Sequence, residues 1–298
     1  MKDPKSTYRS TIWQHRLISF FRNIDFPGFR KLSLLLPKWL LPKVDKVGEH
    51  ILKIPSGLKL WINPSKDLGV ERSLFETGTY ERGTLNFIEK HLQKSQTFID
   101  VGANIGLMSM TAKKTLGNSG QVWAFEANPR TFEIMEKNFG LNNMNSIHSF
   151  ECGLGKDSET LTLYDNWSIN RGAASTVVQG VNAESIDIKI LPFDAVATSQ
   201  GIKVDMMKID VEGMELAVLT GAEESIRKDK PILIIEFSAE REVGSRKVLY
   251  DKIESFGLYS FYKLKVGKER TSRLVEIGSF SEVPKDDNVF CLANKNSK

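Results

Sequence analysis

The sequence predicts an α/β fold built on a doubly wound parallel sheet. Short apolar runs typical of buried strands alternate with amphipathic runs typical of helices over most of the 298 residues. Apolar residues make up 41% and charged residues 26% of the chain, which excludes low-complexity and collagen-like classes. Acidic residues end several of the predicted strands. Ligands of open α/β sheets bind beyond the carboxyl ends of the strands, so these acids predict a ligand site at one sheet edge.

The charge distribution divides the chain into two parts. Residues 1–60 carry 12 Lys or Arg and 4 Asp or Glu, whereas the remaining residues carry 29 and 33. A basic segment therefore precedes a mildly acidic body, and such a segment favours an anionic surface or partner. We predict a basic, partly helical appendage over residues 1–75 and a main domain over residues 76–298.

The appendage has local signals of its own. Residues 7–24 place apolar side chains at a helical period, and the turn in the middle of residues 51–62 predicts a small hairpin. Trp, Phe and Leu alternate with Lys and Arg over residues 7–43. This pattern leaves three interpretations open, which are packing on the main domain, peripheral contact with an anionic membrane, and binding of nucleic acid.

The main domain alternates strands and helices. Short apolar runs predict strands at residues 97–101, 122–125, 146–150, 204–209, 232–236, 258–264 and 288–293. Apolar residues at helical spacing predict helices over residues 107–116, 129–140 and 214–226. Gly117 ends the first helix, while Asn128 caps the second with Pro129 at its first position. Alternation within residues 158–191 predicts a β-rich insertion.

The loop after the first of these strands carries the clearest ligand signal. Residues 100–106 have Asn104 where a dinucleotide fingerprint has the glycine that approaches a pyrophosphate. Glu126 lies 20 residues after Gly106, where an acid takes the ribose hydroxyls. An adenosyl ligand without phosphates fits this loop better than NAD. We predict S-adenosylmethionine, with its ammonium near Asp100 and its carboxylate on the loop amides.

Three runs resemble one known family. Residues 98–106, 125–129 and 208–215 are similar to the FkbM family of S-adenosylmethionine-dependent methyltransferases, and the Lys-Ile-Asp-Val-Glu-Gly run is the most discriminating. The resemblance, which includes Asp194, implies a Rossmann-like class I methyltransferase sheet. In this family it most often implies O-methylation of sugars or other hydroxylated metabolites. The residues that we assign to the cofactor are Tyr80, Glu81, Thr84, Asp100, Gly102, Asn104, Gly106, Glu126, Asn128 and Asp210.

Methyl transfer to a sugar hydroxyl requires the nucleophile in line with the methyl group and benefits from a general base. Asp210 is the first candidate because it ends the strand beside the cofactor loop, and Glu236 and Glu212 follow. Lys208 shares a strand face with Asp210. A buried lysine needs a partner, for which Asp100 and Glu236 are the candidates.

The same acids permit other interpretations. Asp210, Glu212 and Glu215 also oppose the positive end of the following helix, which stabilises by roughly 0.3–1 kcal/mol each. An acid cluster can hold a divalent metal through oxygen ligands, but we assign no metal ligands here. Two cysteines and four histidines do not make a zinc ligand set.

Residues 166–175 are polar and fall where the FkbM resemblance places acceptor-binding insertions. Trp167, Asn170 and Arg171 are therefore the candidate acceptor contacts. The leading hypothesis is an O-methyltransferase of glycan biosynthesis that acts on a sugar, glycan or glycolipid intermediate. One alternative is an RNA methyltransferase that uses the basic appendage, but the sequence lacks motifs that would support this activity. The other alternative is a non-catalytic adenosyl-binding scaffold. A nicotinamide dehydrogenase is disfavoured by Asn104.

The location is predicted to be cytoplasmic, with a peripheral position at the cytoplasmic face of a membrane as one option. Two cysteines in different contexts suit a reducing compartment, and the first ten residues lack the apolar core of a secretory signal.

Overall fold

The computed structural model describes residues 12–23, 39–166, 170–175, 184–238 and 243–294. In chain order the helices are α1 (Ile12–Asn23), α2 (Val70–Thr77), α3 (Arg82–His91), α4 (Leu107–Leu116), α5 (Pro129–Leu141), α6 (Phe193–Gln200), α7 (Glu215–Gly221), α8 (Glu223–Asp229) and α9 (Val243–Glu254). The strands are β1 (His50–Lys53), β2 (Lys59–Ile62), β3 (Thr97–Val101), β4 (Gln121–Glu126), β5 (His148–Glu151), β6 (Gly153–Leu154), β7 (Glu159–Asn166), β8 (Asn170–Ser175), β9 (Glu184–Leu191), β10 (Met206–Ile209), β11 (Ile232–Phe237), β12 (Tyr259–Leu264), β13 (Leu274–Ile277) and β14 (Asp287–Ala293).

The central sheet has eight strands in the order β13-β12-β14-β11-β10-β3-β4-β5. Strands β5, β4, β3, β10 and β11 run parallel, and β14 pairs antiparallel with both β11 and β12. The chain starts the sheet in the middle at β3, extends it to β5, and then returns to the other side with β10. The switch point between β3 and β10 therefore opens a crevice at the carboxyl ends of these strands. The predicted doubly wound α/β fold is confirmed.

Alternating residues of the central strands supply two separate apolar layers. Phe98 and Ile234 point to the layer that includes α4 and α5, whereas Ile99 and Leu233 point to the layer that includes α6, α8 and α9. A strand that is apolar at consecutive positions is buried on both faces, as the runs in the sequence predicted. None of the described helices is long and apolar enough to cross a bilayer.

The predicted hairpin is present as the antiparallel pair β1 and β2. The amide of Trp61 donates to the Asn138 side chain at 2.6 Å, and Asn142 both accepts from and donates to the Lys59 backbone. Leu52 and Leu60 are fully buried in the same apolar layer as Phe98. The hairpin thus packs on α5 and the main sheet, while the division near residue 75 stays a prediction.

The β-rich insertion is present as a second sheet with the order β6-β9-β7-β8. Leu163, Ile188 and Ile190 form its own small core and pack against Ala127 and Met214. These two contacts attach the insertion to the carboxyl-terminal edge of the central sheet. The insertion is therefore placed to cover the crevice.

The single helix predicted over residues 214–226 is in fact two helices, α7 and α8. A Cβ on Gly221 would lie 1.9 Å from the Gly155 carbonyl oxygen, so the chain passes close to the second sheet here. The Asp194 carboxylate then accepts the amides of Glu224 and Ser225, both at 2.9 Å, and caps the new helix. The break follows from tertiary contacts that helical spacing does not reveal.

Candidate functional site

The loop after β3 is held against both neighbouring strands. The amides of Gly102 and Ala103 donate to the Phe125 carbonyl at 3.0 and 2.9 Å. Gly102 has a φ of +78°, and a Cβ there would lie 1.8 Å from the carbonyl oxygen of Asp210. Only glycine fits this position, because the left-handed backbone and the close approach both exclude a side chain.

The loop amides have protein acceptors. Besides Gly102 and Ala103, the Asn104 amide donates to Glu126, the Ile105 amide to the Asn104 side chain, and the Gly106 amide to the Ala103 carbonyl. The assignment of these amides to the carboxylate of S-adenosylmethionine stays a prediction. The first turn of α4 presents Leu107 and Met108 to the cavity, and helix starts carry amides without intrahelical partners.

Glu126 sits at the end of β4 with both oxygens aimed at backbone amides. Its Oε2 accepts from Asn104 at 2.8 Å and its Oε1 accepts from Asn128 at 2.9 Å. Burial raises the pKa of Glu126 to about 7, against the lowering effect of these two amides. Each oxygen keeps a second lone pair, so the side chain is oriented to accept a pair of hydroxyl groups.

A cavity of about 320 Å³ opens between the loop, the ends of the central strands and the second sheet. Its polar lining comprises Tyr80, Asn104, Glu126, Asn128, Thr131, Lys208, Asp210, Glu212 and Glu236. Its apolar lining includes Ile105, Leu107, Met108, Phe125, Leu154, Leu163, Ile188, Ile190 and Met214. A pocket with one apolar side and one cluster of polar groups suits a ligand that joins a flat ring to charged groups.

Carboxylates and ammonium groups alternate at the polar end of the cavity. Lys208, buried in β10, forms its ion pair with Asp210 at 2.7 Å rather than with the expected Asp100 or Glu236. Lys268 bridges Glu81 at 3.0 Å and Glu236 at 2.5 Å. Side chains from separate segments of the chain thus meet in one network of opposite charges.

Asp210 and Glu236 differ strongly in acidity. Burial opposes ionisation of Asp210, but Lys208 and a hydrogen bond with Glu236 outweigh it and hold its pKa at about 2. Burial and the neighbouring Asp210 charge raise the pKa of Glu236 to about 8. The two neighbouring carboxyl groups are therefore shifted in opposite directions from their ordinary pKa values.

Asp100 lies one strand away from this pair. It is fully buried, and its Oδ2 accepts the Ser109 hydroxyl at 2.5 Å, while its Oδ1 has no hydrogen-bond partner in the described part of the chain. Burial raises the pKa of Asp100, partly opposed by the nearby Lys208 charge. Asp100 is not among the residues that line the cavity, so its assignment to the ammonium group of the cofactor stays a prediction.

Glu81, Asp210 and Glu236 are also the set of described acids whose oxygens, all within 4.8 Å of one another, could hold a metal ion. However, the Lys268 ammonium already contacts two of the three and Lys208 contacts the third. An added dication would lie beside both ammonium groups. The donor set therefore does not fit a resident metal, and no step is assigned to one.

Three of the six non-glycine residues with positive φ in the described part of the chain lie at the cavity or in the charge network. Glu81, Asn104 and Glu212 have φ values of 42°, 51° and 45°, in the left-handed region that side chains rarely adopt. Asn104 and Glu212 line the cavity, and Glu81 belongs to the charge network. Such strain is common at binding sites, where the surrounding structure holds residues in place for a function.

The remaining candidate site residues differ in whether they line the cavity. Tyr80 lines it, and burial raises the pKa of its hydroxyl. Thr84 is buried behind the lining and accepts from Asn288 at 2.8 Å. Glu212 is exposed on the cavity wall. Glu215 accepts the amides of Val211 and Gly213, which suits the helix-start interpretation.

Two of the three candidate acceptor residues lie in the second sheet. Asn170 and Arg171 begin β8, and Asn170 pairs with Asn166 of β7. Trp167 lies outside the described residues. The assignment of these three side chains to the acceptor stays a prediction.

Sequence reasoning missed Lys268 and Asn288. Lys268 lies in the loop between β12 and β13, and Asn288 in β14 donates to both Glu81 and Thr84. Both come to the site from about 200 residues beyond Glu81, and neither belongs to a local motif. The sequence around Lys268 contains several lysines, and nothing in it indicates that Lys268 is the one that is partly buried among acids.

Known proteins resemble this chain over the same region. A family model described as the methyltransferase FkbM domain matches residues 100–258. Methyltransferase 1 of Beauveria bassiana is 28% identical over 146 residues, which cover 42% of this chain and 58% of that protein. The hexuronic acid methyltransferase AglP of Haloferax volcanii is 24% identical over 155 residues, which cover 52% and 61%.

A solved structure of a methyltransferase FkbM from Methylobacillus flagellatus matches 97% of this chain and 63% of its own, with 15% identity and a TM-score of 0.44. This chain therefore spans less than two thirds of the length of each of these relatives.

Proposed function

We propose that this chain, which belongs to the FkbM methyltransferase family by the match of residues 100–258, more than half of its length, is an S-adenosylmethionine-dependent O-methyltransferase. The acceptor in this proposal is a hydroxyl of a sugar, glycan or glycolipid intermediate. The observation that carries the proposal is the cavity itself, which places a ribose-type acceptor, Glu126, and a neighbouring pair of acids, Asp210 and Glu236, on one lining.

The residues around the loop fit the cofactor. Glu126 is oriented to accept two ribose hydroxyls, and the apolar wall from the second sheet suits an adenine ring. Asp100, whose Oδ1 has no hydrogen-bond partner in the described residues, lies behind the cavity lining and is our candidate for the ammonium group. The first turn of α4 is suited to a carboxylate, because its amides lack intrahelical acceptors.

S-adenosylmethionine supplies a methyl carbon that its sulfonium activates, so the chain needs only to align the acceptor and remove a proton. Asp210 and Glu236 stand where the strands end, and Asp210, the member of the pair whose ionised form is favoured, can accept the proton of an acceptor hydroxyl. Lys208 and Lys268 hold the two carboxylates in place and offset their negative charge. Exclusion of water by the second sheet strengthens these interactions.

The sugar class is supported by the relative named hexuronic acid methyltransferase and by the acid pair, which suits a poorly nucleophilic hydroxyl. A glycan acceptor and a role in glycan biosynthesis are parts of the same proposal. The predicted contact of residues 7–43 with an anionic membrane would bring the cavity to lipid-linked saccharides at the cytoplasmic face. No feature of the described structure favours RNA as the acceptor.

Calorimetry with S-adenosylmethionine tests the cofactor site. We expect micromolar-range binding to the wild type, loss of at least about tenfold in affinity for Glu126→Ala, and no binding of NAD. Glu151→Ala is the matched control, since Glu151 pairs in register with Glu126 on the neighbouring strand end but is exposed and does not line the cavity.

A folded wild type that does not bind S-adenosylmethionine would sink the proposal, as would equal effects of the two substitutions. Where binding is found, transfer of labelled methyl from the cofactor to hexuronate-containing saccharides tests the acceptor class. Label that appears in RNA instead of saccharide would overturn the acceptor assignment but not the cofactor site.

A further inference from the structure

Helix α1 has two faces with opposite surroundings. His15 and Ile18 are fully buried, and the His15 ring donates to the Phe75 carbonyl at 2.8 Å. Trp13, Leu17 and Phe20 follow at i, i+4 and i+7, and they are 55%, 36% and 61% exposed. This spacing places the three side chains on one stripe that points away from the body. The helix is thus anchored by one apolar face and presents a second one.

Exposed apolar side chains are concentrated in this part of the protein. In the described residues, the large apolar side chains that are exposed are Trp13, Leu17, Phe20, Trp39, Leu68, Val248 and Val266. Five of these seven lie between residues 13 and 68. Scattered exposed apolar groups are ordinary, but a cluster of large ones marks an interaction surface.

Trp39 precedes Leu40, which contacts α1, and Leu68 precedes α2, on which α1 packs through His15 and Phe75. The Gln14 side chain donates to the Leu40 carbonyl at 2.8 Å, which ties α1 to the segment that begins at Trp39. That segment and Leu68 line a common groove of about 500 Å³. We call the surface formed by Trp13, Leu17, Phe20, Trp39 and Leu68 the docking face.

The exposed charges of the first 68 residues favour an anionic partner. Exposed basic residues in the described parts of the first 68 residues are Arg16, Lys43, Lys46, Lys53, Lys59 and Lys66, against the exposed acids Asp45 and Glu49. Arg16 lies on α1 between the apolar positions of the stripe. Tryptophan and phenylalanine interleaved with basic residues are typical of helices that lie in the headgroup region of a bilayer.

The docking face also adjoins the cavity of the proposed active site. Leu68 and Arg72 line the groove, whereas Gly69 and Val70, from the same turn, line the cavity. Leu68 of the docking face and Gly69 of the cavity lining are adjacent in the chain, so a protein held on a membrane by this face would keep the cavity near the lipid.

We propose that the docking face binds the surface of a membrane that contains anionic lipid, with the Trp, Phe and Leu side chains in the headgroup layer and the lysines and Arg16 near lipid phosphates. The proposal concerns binding alone and stands whether or not the protein transfers methyl groups.

Cosedimentation of the full chain with vesicles tests this proposal. The vesicles are phosphatidylcholine alone, or phosphatidylcholine with about one third phosphatidylglycerol. We expect binding to the anionic vesicles that weakens with salt, and little binding to the neutral ones. The triple variant Trp13→Ser, Leu17→Ser, Phe20→Ser should bind at least about tenfold more weakly, with an unchanged melting temperature because these side chains are exposed.

A matched pair of variants distinguishes binding by the docking face from nonspecific adsorption through any exposed apolar side chain. Leu68 and Val248 are both 51% exposed, but Val248 lies on α9. Leu68→Ser should weaken vesicle binding, and Val248→Ser should leave it unchanged. The proposal is overturned if the wild type ignores anionic vesicles, or if the triple variant binds them as well as the wild type does. Lipid-free dimers that the triple variant abolishes would assign the face to a second copy, and salt-dependent RNA binding that displaces vesicles would assign the basic residues to nucleic acid.

Discussion

Asp210 and Glu236 have the same functional group but different acidities, because each has a different balance of burial and neighbouring charge. Lys208 lies against Asp210 at 2.7 Å and favours its ionised form. Burial and the charge of Asp210 disfavour the ionised form of Glu236, and the nearby Lys268 ammonium opposes them only in part. A pair of titratable groups with separated pKa values is how one site holds both a proton donor and a proton acceptor.

This separation predicts a pH-dependent stability. Since the pKa of Glu236 rises from 4.5 to about 8 on folding, the native state binds more protons than the unfolded state between these values. Its contribution is fully present below pH 4.5 and is lost as the pH rises through about 8. Between about pH 5 and 8, the free energy of unfolding should fall by on the order of 1–3 kcal/mol more in the wild type than in Glu236→Gln.

Denaturant unfolding at several pH values measures this difference. Glu276→Gln is the control, because Glu276 is exposed and lies far along the chain in β13. Its pH dependence should match that of the wild type. Parallel stability curves for the wild type and Glu236→Gln would show that Glu236 titrates normally in the folded protein.

At the scale of elements, the loop after β3 is a junction between three strands. Its position is set by the Phe125 carbonyl on one side and by the Asp210 carbonyl on the other. The strand ends that carry Glu126 and Asp210 are thereby held at a fixed distance from each other. The geometry of the cofactor site depends on this packing more than on any single hydrogen bond.

Gly102→Ala should disrupt this junction. Gly57, in the hairpin turn, has a similar φ of +92°, but a Cβ added there would meet nothing within 4 Å, so Gly57→Ala reports the backbone cost alone, about 1–2 kcal/mol. Gly102→Ala adds a clash with Asp210 and should cost at least about 2 kcal/mol more. Equal losses in chemical denaturation would show that the loop can move away from β10.

At the scale of the whole molecule, the hairpin and the central sheet share one apolar layer. Leu52 and Leu60 from the hairpin and Phe98 from β3 are all fully buried there. Residues on opposite sides of the predicted division near residue 75 therefore bury one another. Elements that share a core are expected to unfold together.

Leu52→Ala tests this cooperativity. Truncation of a fully buried leucine should lower the free energy of unfolding by about 2–5 kcal/mol, in one transition that circular dichroism and tryptophan fluorescence report together. Leu68→Ala, at a 51% exposed position, is the control and should change little. A separate early transition that Leu52→Ala alone shifts would show that residues 1–75 fold on their own.

Local patterns were sufficient for much of the fold and for half of the site. The apolar runs at β3, β4, β10 and β11, and the Asn128 cap with Pro129, depend on neighbours within a few residues. The positions of Glu126 and Asp210 at strand ends follow from the same runs. The break at Ala222 was missed because Asp194 and Gly155 act on it from other elements.

The α/β class, the family and the residues that end the central strands could be read from the amino-acid order, because periodicity and short motifs are local properties of the chain. Long-range packing was needed to establish that Lys208 pairs with Asp210, that the loop amides have protein acceptors, and that Lys268 and Asn288 enter the charge network. These facts depend on which strands lie side by side. That order comes from burial of the sheet on two apolar layers, and it brings together groups that are distant in the chain.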